Sequence, residues 1–180
     1  MLALSDEELA VRAGQGDPSA FRQVLERHYD RLYRIAYRFF GQASEAEDVA
    51  QDICLALAGR IGSFRGESRF STWLYTVALN QCRDHARRQQ SRQGLQGAFA
   101  AFAAHQMADW ADSDARTRWL YQAMDALEPA FKETALLVLA EDLSHAEAGA
   151  VLGVKESTVS WRMHEVKKKL KAMAEHERRA

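Results

Sequence analysis

The sequence predicts an all-α chain of two small helical domains joined by a flexible linker, on three observations. Apolar residues recur at helical spacing through most of the chain, and capping patterns and glycines punctuate those runs. Between residues 91 and 113 the periodicity fails and Gln and Ala dominate. The boundaries that follow are a first domain over 1–90, a linker over 91–113 and a second domain over 114–180. A chain of 180 residues, 47% hydrophobic, has material for one or two modest cores.

Ser5, Asp6, Glu7 and Glu8 have the form of a capping box and open a short helix that stops near Gly14 and Gly16. Asp17 and Pro18 restart the chain as N-cap and first-turn proline. Phe21, Val24, Leu25, Leu32, Ile35 and Phe39 then keep helical spacing, with Tyr29, Tyr33 and Tyr37 beside them, until Gly41. An aromatic stripe at that spacing is packing material. Ser44 and Glu47 suggest another capping box, and the next helix runs to about Gly59 with Val49, Ile53 and Leu57 on its apolar side. Its opposite side carries Glu45, Asp48 and Asp52, with Gln51 nearby. Three carboxylates on one face fit a divalent metal, a basic protein surface or plain solvation, and no further convergent metal ligands follow from spacing.

The stretch GSFRGESRFSTWLYTVALNQCRDHARRQQ, residues 62–90, organises the first domain. A glycine-bounded loop sets Phe64 and Phe70 among Arg65, Glu67, Ser68 and Arg69, and aromatics interleaved with arginines suit unpaired nucleic acid. Ser71 is the expected N-cap of one helix from Thr72 to Gln90. On it Asn80, Arg83 and Arg87 share a face that suits a base edge and a phosphate backbone. The same residues also fit an ordinary core stripe, Trp73, Leu74 and Val77, with a solvated arginine face.

The segment after it, with its FAAFAA near-repeat, is the linker, whose Phe99, Phe102 and Trp110 are candidates to order against a partner. Helix signals resume with Trp119, Leu120, Ala123, Met124 and Leu127, break at Glu128 and Pro129, and return in the apolar run from Ala135 to Ala140. Ser144 and Glu147 give a further capping box. Gly149, Gly153 and Val159 then fall at the offsets of a helix-turn-helix. Ser157 is the expected cap of the second helix, which offers Thr158, Ser160, Trp161, Arg162 and His164 near its start and then Lys167, Lys168, Lys169 and Lys171. Hydroxyl and guanidinium groups at a helix start, followed by lysines, suit base edges and phosphates in a major groove. A plain helical hairpin with a solvated basic tail is the competing reading.

Net charge is only −1, but it is laid out in blocks: residues 1–59 sum to −4, 60–92 to +5, 93–154 to −6 and 155–180 to +4. Two basic segments between acidic ones indicate two nucleic-acid contacts on a protein that also offers acidic surface to something basic. No apolar run approaches the ~20 residues that span a bilayer, and no secretory leader is evident, so a cytoplasmic protein without membrane insertion is expected. Cys54 and Cys82 lie in helical patterns without CxxC spacing and read as buried reduced thiols; the six histidines include no HExxH. No metal, no cofactor and no catalysis are expected.

Three stretches, AEDVAQDICLAL, SFRGESRFSTWLYTVALN and LEPAFKETALLVLAEDLSHAEAGAVLGVKESTV, in this order and spacing, resemble bacterial sigma factors of the extracytoplasmic-function (ECF) group of the sigma-70 family. The resemblance covers nearly the whole chain except the linker. It implies that residues 1–90 are sigma region 2, a helical bundle, and 114–180 region 4. It implies that Glu45, Asp48, Gln51 and Asp52 dock on the β′ clamp helices of core RNA polymerase, with the β flap as a second contact. It gives Phe64, Arg65, Ser68, Arg69, Phe70, Trp73, Asn80, Arg83, Arg87 and Arg88 to the −10 promoter element, where a flipped base is held and melting is stabilised. Lys155, Ser157, Thr158, Ser160, Trp161, Arg162, His164, Lys167 and Lys168 would read the −35 element. An anti-sigma factor is the implied inhibitor.

Some positions depart from the family pattern. Ser157 stands where the recognition helix commonly starts after glycine, Trp161 replaces a small polar residue, Glu165 sits where arginine is common, and Gly149 replaces alanine at up to about 1 kcal/mol to its helix. Two other readings remain at this level. One is a helix-turn-helix repressor or activator that binds operators unaided; the other is a metal-dependent nuclease using Glu45, Asp48 and Asp52.

Overall fold

The computed structural model describes residues 4–93 and 115–177, within two compact units, Met1–Asp109 and Trp110–Ala180. All regular structure among the described residues is helical, as expected. Residues 91–93 continue the last helix of the first unit. The rest of the expected linker, with Phe99, Phe102 and Trp110, lies outside the described residues.

In the first unit, α1 (Asp6–Gly14) opens on the expected capping box between Ser5 and Glu8. Helix α2 (Pro18–Phe40) starts with the Asp17 carboxylate accepting from the Ser19 and Ala20 N–H groups, and those bonds hold its pKa below the usual carboxylate value. It ends at Gly41, whose φ of 75° closes the helix in a left-handed conformation. Helix α3 (Ala43–Arg60) departs from expectation: it begins at Ala43 with Gln42 as cap and no side-chain cap bond, so Ser44 lies inside the first turn. A short 3₁₀ turn (Ile61–Ser63) and a loop lead to α4 (Phe70–Gln93). The core between these helices is built from Leu9, Val24, Leu32, Ile35, Ile53, Leu57, Phe70 and Leu74, each almost wholly buried.

The second unit starts with α5 (Ala115–Asp125). Helix α6 (Pro129–Ala135) has Pro129 in its first turn and runs on as a π-helical stretch, Leu136–Ala140, so the apolar run is half of one helical rod that starts at the proline. Helices α7 (His145–Leu152) and α8 (Glu156–Glu177) form the helix-turn-helix, with Ser144 and Glu147 making the expected box and Gly153 turning the chain at φ 68°. Gly149 does more than permit a close approach. A Cβ there would stand 2.8 Å from the Val154 carbonyl oxygen, so the turn excludes even alanine as it stands. The propensity penalty expected for this glycine is thus offset by a turn that needs it. Val159, Met163 and Val166 seat α8 on the core.

Candidate nucleic-acid and docking interfaces

Helix α3 presents two opposed faces. Val49, Ile53 and Leu57 are fully buried, while Asp48 and Gln51 are exposed and Glu45 and Asp52 half-buried. The acidic face therefore exists as predicted from spacing, but it is not purely polar. Leu55, one turn beyond Gln51 and Asp52 and two beyond Asp48, is 73% exposed. Its signal in the sequence is an apolar residue out of step with the buried stripe. Covering it fully would be worth about 1.5–3 kcal/mol, which makes it the natural anchor of any contact on this face.

The last turns of α4 lean on that face. Arg88 Nη1 lies 3.8 Å from Asp52 Oδ2, and the Gln89 amide donates to the Glu45 carboxylate. Arg88 is exposed and Asp52 only half-buried, so the pair is open to solvent, contributes at most about 1 kcal/mol and can be displaced by a competing cation. Between the helices is an open cleft of about 460 Å³, with Asp48, Asp52 and Leu55 on one side and His85, Arg88 and Gln89 on the other. Arg88, grouped with the −10 residues by resemblance, is thereby found beside the acidic face.

The loop before α4 differs from expectation in which groups it offers. Phe64 is 7% exposed and Phe70 0%, and their rings meet edge-on at 5.3 Å. Trp73 stacks on Phe70 at 5.7 Å and tilts against Phe64 at 5.8 Å. Apolar burial has claimed both phenylalanines, so neither ring face is free to receive a base; half-buried Trp73 keeps an accessible part. The exposed groups are Arg65, Glu67, Ser68 and Arg69, around Gly66 at φ 74°. Ser71 is not the cap, since α4 begins one residue earlier and the Glu7 carboxylate accepts from the Phe70 N–H at 3.1 Å. On α4 the predicted face is assembled: Arg83 Nη1 donates to Asn80 Oδ1 at 3.2 Å, and Arg87 pairs with Asp84. Of the cysteines, Cys82 is buried and Cys54 half-buried, and burial raises the Cys54 thiol pKa.

On α8, Ser157, Trp161, His164 and Lys168 are exposed and recur at i, i+4, i+7 and i+11, opposite Val159, Met163 and Val166. Lys155 and Lys167 are exposed beside them, and Thr158 and Arg162 are half-buried on the flank. Ser157 lies within the first turn rather than capping it, because the Lys155 carbonyl already accepts from the Thr158 and Val159 N–H groups. Ser160 is exposed, but its hydroxyl meets His145 Nδ1 at 2.8 Å, which ties α7 to α8. Trp161 is 57% exposed and its ring rests on Phe131 at 5.7 Å; Lys169 stands 4.6 Å over the same Phe131 ring. The tryptophan thus stands out from the helix with one edge braced.

Comparison with known proteins identifies the family. Residues 24–92 match the family model for sigma-70 region 2. The chain is 32% identical to the RNA polymerase sigma factor NccH of Alcaligenes xylosoxydans xylosoxydans over 93% of its own length and 94% of that protein. It is 31% identical to the ECF RNA polymerase sigma factor SigM of Mycobacterium tuberculosis, over 88% of this chain and 79% of the other. Among solved structures it is similar to CnrH in complex with the cytosolic domain of CnrY, with a TM-score of 0.70 and 25% identity over 95% of this chain and 97% of that one.

Proposed function

The chain belongs to the extracytoplasmic-function sigma factors of the sigma-70 family, and from that premise we propose that it directs core RNA polymerase to its own set of promoters through separate polymerase-binding and DNA-binding surfaces. Sigma factors are initiation factors without chemistry of their own, so no residue is assigned a catalytic role. The acidic face of α3, Glu45, Asp48, Gln51 and Asp52, docks on the basic β′ clamp helices with Leu55 as its apolar anchor, and the second unit contacts the β flap. Docking displaces Arg88 and Gln89 from the carboxylates they now cover. Arg65, Ser68 and Arg69 of the loop, with Trp73, Asn80, Arg83 and Arg87, hold the melted −10 strand: guanidinium groups take phosphates, the amide reads a base edge and the indole supplies a stacking surface. Phe64 and Phe70 support that surface from beneath. The exposed face of α8 reads the −35 element in the major groove.

The observation that carries this reading is that one small unit bears, on a single core, an exposed acidic helix face with an apolar anchor and a separate exposed arginine loop. A freestanding repressor has no use for the first of these. An anti-sigma factor that covers the polymerase or DNA faces would keep the protein inactive, a reading supported by the complex of its neighbour CnrH with CnrY. Such a protein works in the cytoplasm, and among the described residues no helix is long and apolar enough to cross a membrane.

The test is run-off transcription with purified core polymerase on a genomic fragment library, with and without this chain. New start sites that appear only with the chain, and vanish with Asp48→Ala plus Leu55→Asp, are expected. Identical start sites in both reactions, or no association with core polymerase, would overturn the proposal.

A further inference from the structure

We propose that α1 is a clasp that sets the shape of the strand-capturing loop, with Glu7 as a positioning residue; this rests on the loop's assignment to the −10 strand. The loop is pinned against α1 at both ends. Where it begins, Gly14 at the end of α1 lies against the 3₁₀ turn: a Cβ on Gly14 would stand 3.1 Å from both the Gly62 Cα and the Ile61 carbonyl oxygen, so two backbones are in contact. Where it ends, Glu7 Oε1 accepts from the Phe70 N–H at 3.1 Å. That bond satisfies an otherwise orphaned first-turn N–H of α4 and sets a carboxylate at the positive end of its dipole. Glu7 and Gly14 are seven residues apart on one helix, a rigid spacing of about 10 Å.

The clasp is itself anchored. Asp6 binds Arg27 Nη1 at 2.8 Å and lies 2.9 Å from His28 Nε2, and Arg27 also donates to the Leu4 carbonyl at 2.8 Å. His28 in turn meets the Phe70 ring edge-on at 5.5 Å. Between the two pins stand the exposed Arg65, Glu67, Ser68 and Arg69. Their spacing toward a strand is therefore fixed by a helix that precedes them by more than fifty residues and that makes no contact with nucleic acid in this scheme.

The experiment uses the full chain bound to core polymerase and a fluorescein-labelled single-stranded oligonucleotide carrying the non-template −10 sequence of a promoter found by run-off transcription. Glu7→Ala is expected to weaken capture of this strand about tenfold, while affinity for core polymerase stays within about twofold. Glu7→Gln, which keeps an oxygen acceptor for the Phe70 N–H, should stay within about threefold of wild type. Gly41→Ala, which strains the left-handed cap at the end of α2 opposite to α1, should lower thermal stability without changing capture. Capture by Glu7→Ala equal to wild type would overturn the clasp and leave the loop's role standing. An equal loss with Gly41→Ala would also overturn it, since the effect would then be stability alone. Absence of capture by the wild-type holoenzyme would overturn the loop's assignment and the clasp together.

Discussion

Single residues carry two consequences that measurement can check. His28 is 5% exposed, and burial lowers its pKa below the ordinary 6.5. Asp6 opposes that shift but its carboxylate, though 2.9 Å away, is poorly aligned for a hydrogen bond, and Arg27 and Arg31 reinforce the neutral form. The unfolded chain therefore takes up a proton at His28 more readily than the folded one. Its contribution to stability is full above pH 6.5 and is lost as pH falls through the depressed folded value. Chemical denaturation of the wild type and His28→Gln between pH 7.5 and 5 should show the variant's stability falling less over this range. Gly149 gives the second test. In an exposed helix Gly→Ala stabilises by up to about 1 kcal/mol, but here the methyl would meet the Val154 carbonyl at 2.8 Å, and overpacking of that kind costs about 1–3 kcal/mol. Gly149→Ala should lower the melting temperature of the second unit and leave α1–α4 unchanged, as followed by amide exchange.

At the scale of an element, α3 shows how one helix serves a core and a partner at once. Its buried stripe needs only every third or fourth position, which leaves Asp48, Gln51, Asp52 and Leu55 to face outward. An exposed leucine among carboxylates contributes nothing to folding in this state and gains its value when another surface excludes water from it. Leu55→Asp is expected to keep the melting temperature within a few degrees of wild type while weakening binding to core polymerase by about tenfold or more, measured by fluorescence polarisation. Salt should weaken the Asp48 and Asp52 contribution and leave the Leu55 contribution nearly intact, because screening acts on charges and not on apolar burial.

For the whole molecule, affinity for DNA comes from combining weak contacts. The net charge of −1 and the two basic blocks of +5 and +4 mean that each site neutralises few phosphates, against an overall field that does not attract a polyanion. The free chain should bind promoter duplex more weakly than about 1 µM at physiological salt by gel shift. Once both sites are held by polymerase, their effective concentrations multiply and binding tightens by about 100-fold or more. Sub-micromolar specific binding by the free chain would favour a freestanding repressor.

The helix content, the capping boxes at Ser5 and Ser144, the Asp17–Pro18 start and the turn at Gly153 were all legible because each rests on residues three or four apart, and backbone geometry converts that spacing directly into contact. The acidic face of α3 and the Asn80–Arg83–Arg87 face of α4 were legible for the same reason. The family followed from three motifs in order. Pairings between residues far apart in the chain were not legible in this way. Glu7, and not Ser71, meets the start of α4; Arg88 turns to Asp52; the Phe64 and Phe70 rings are spent in the core; and the Val154 carbonyl removes the space an alanine at 149 would need. None of these is set by local propensity, because each depends on where packing brings a distant backbone or ring, and a one-dimensional pattern holds no distance of that kind.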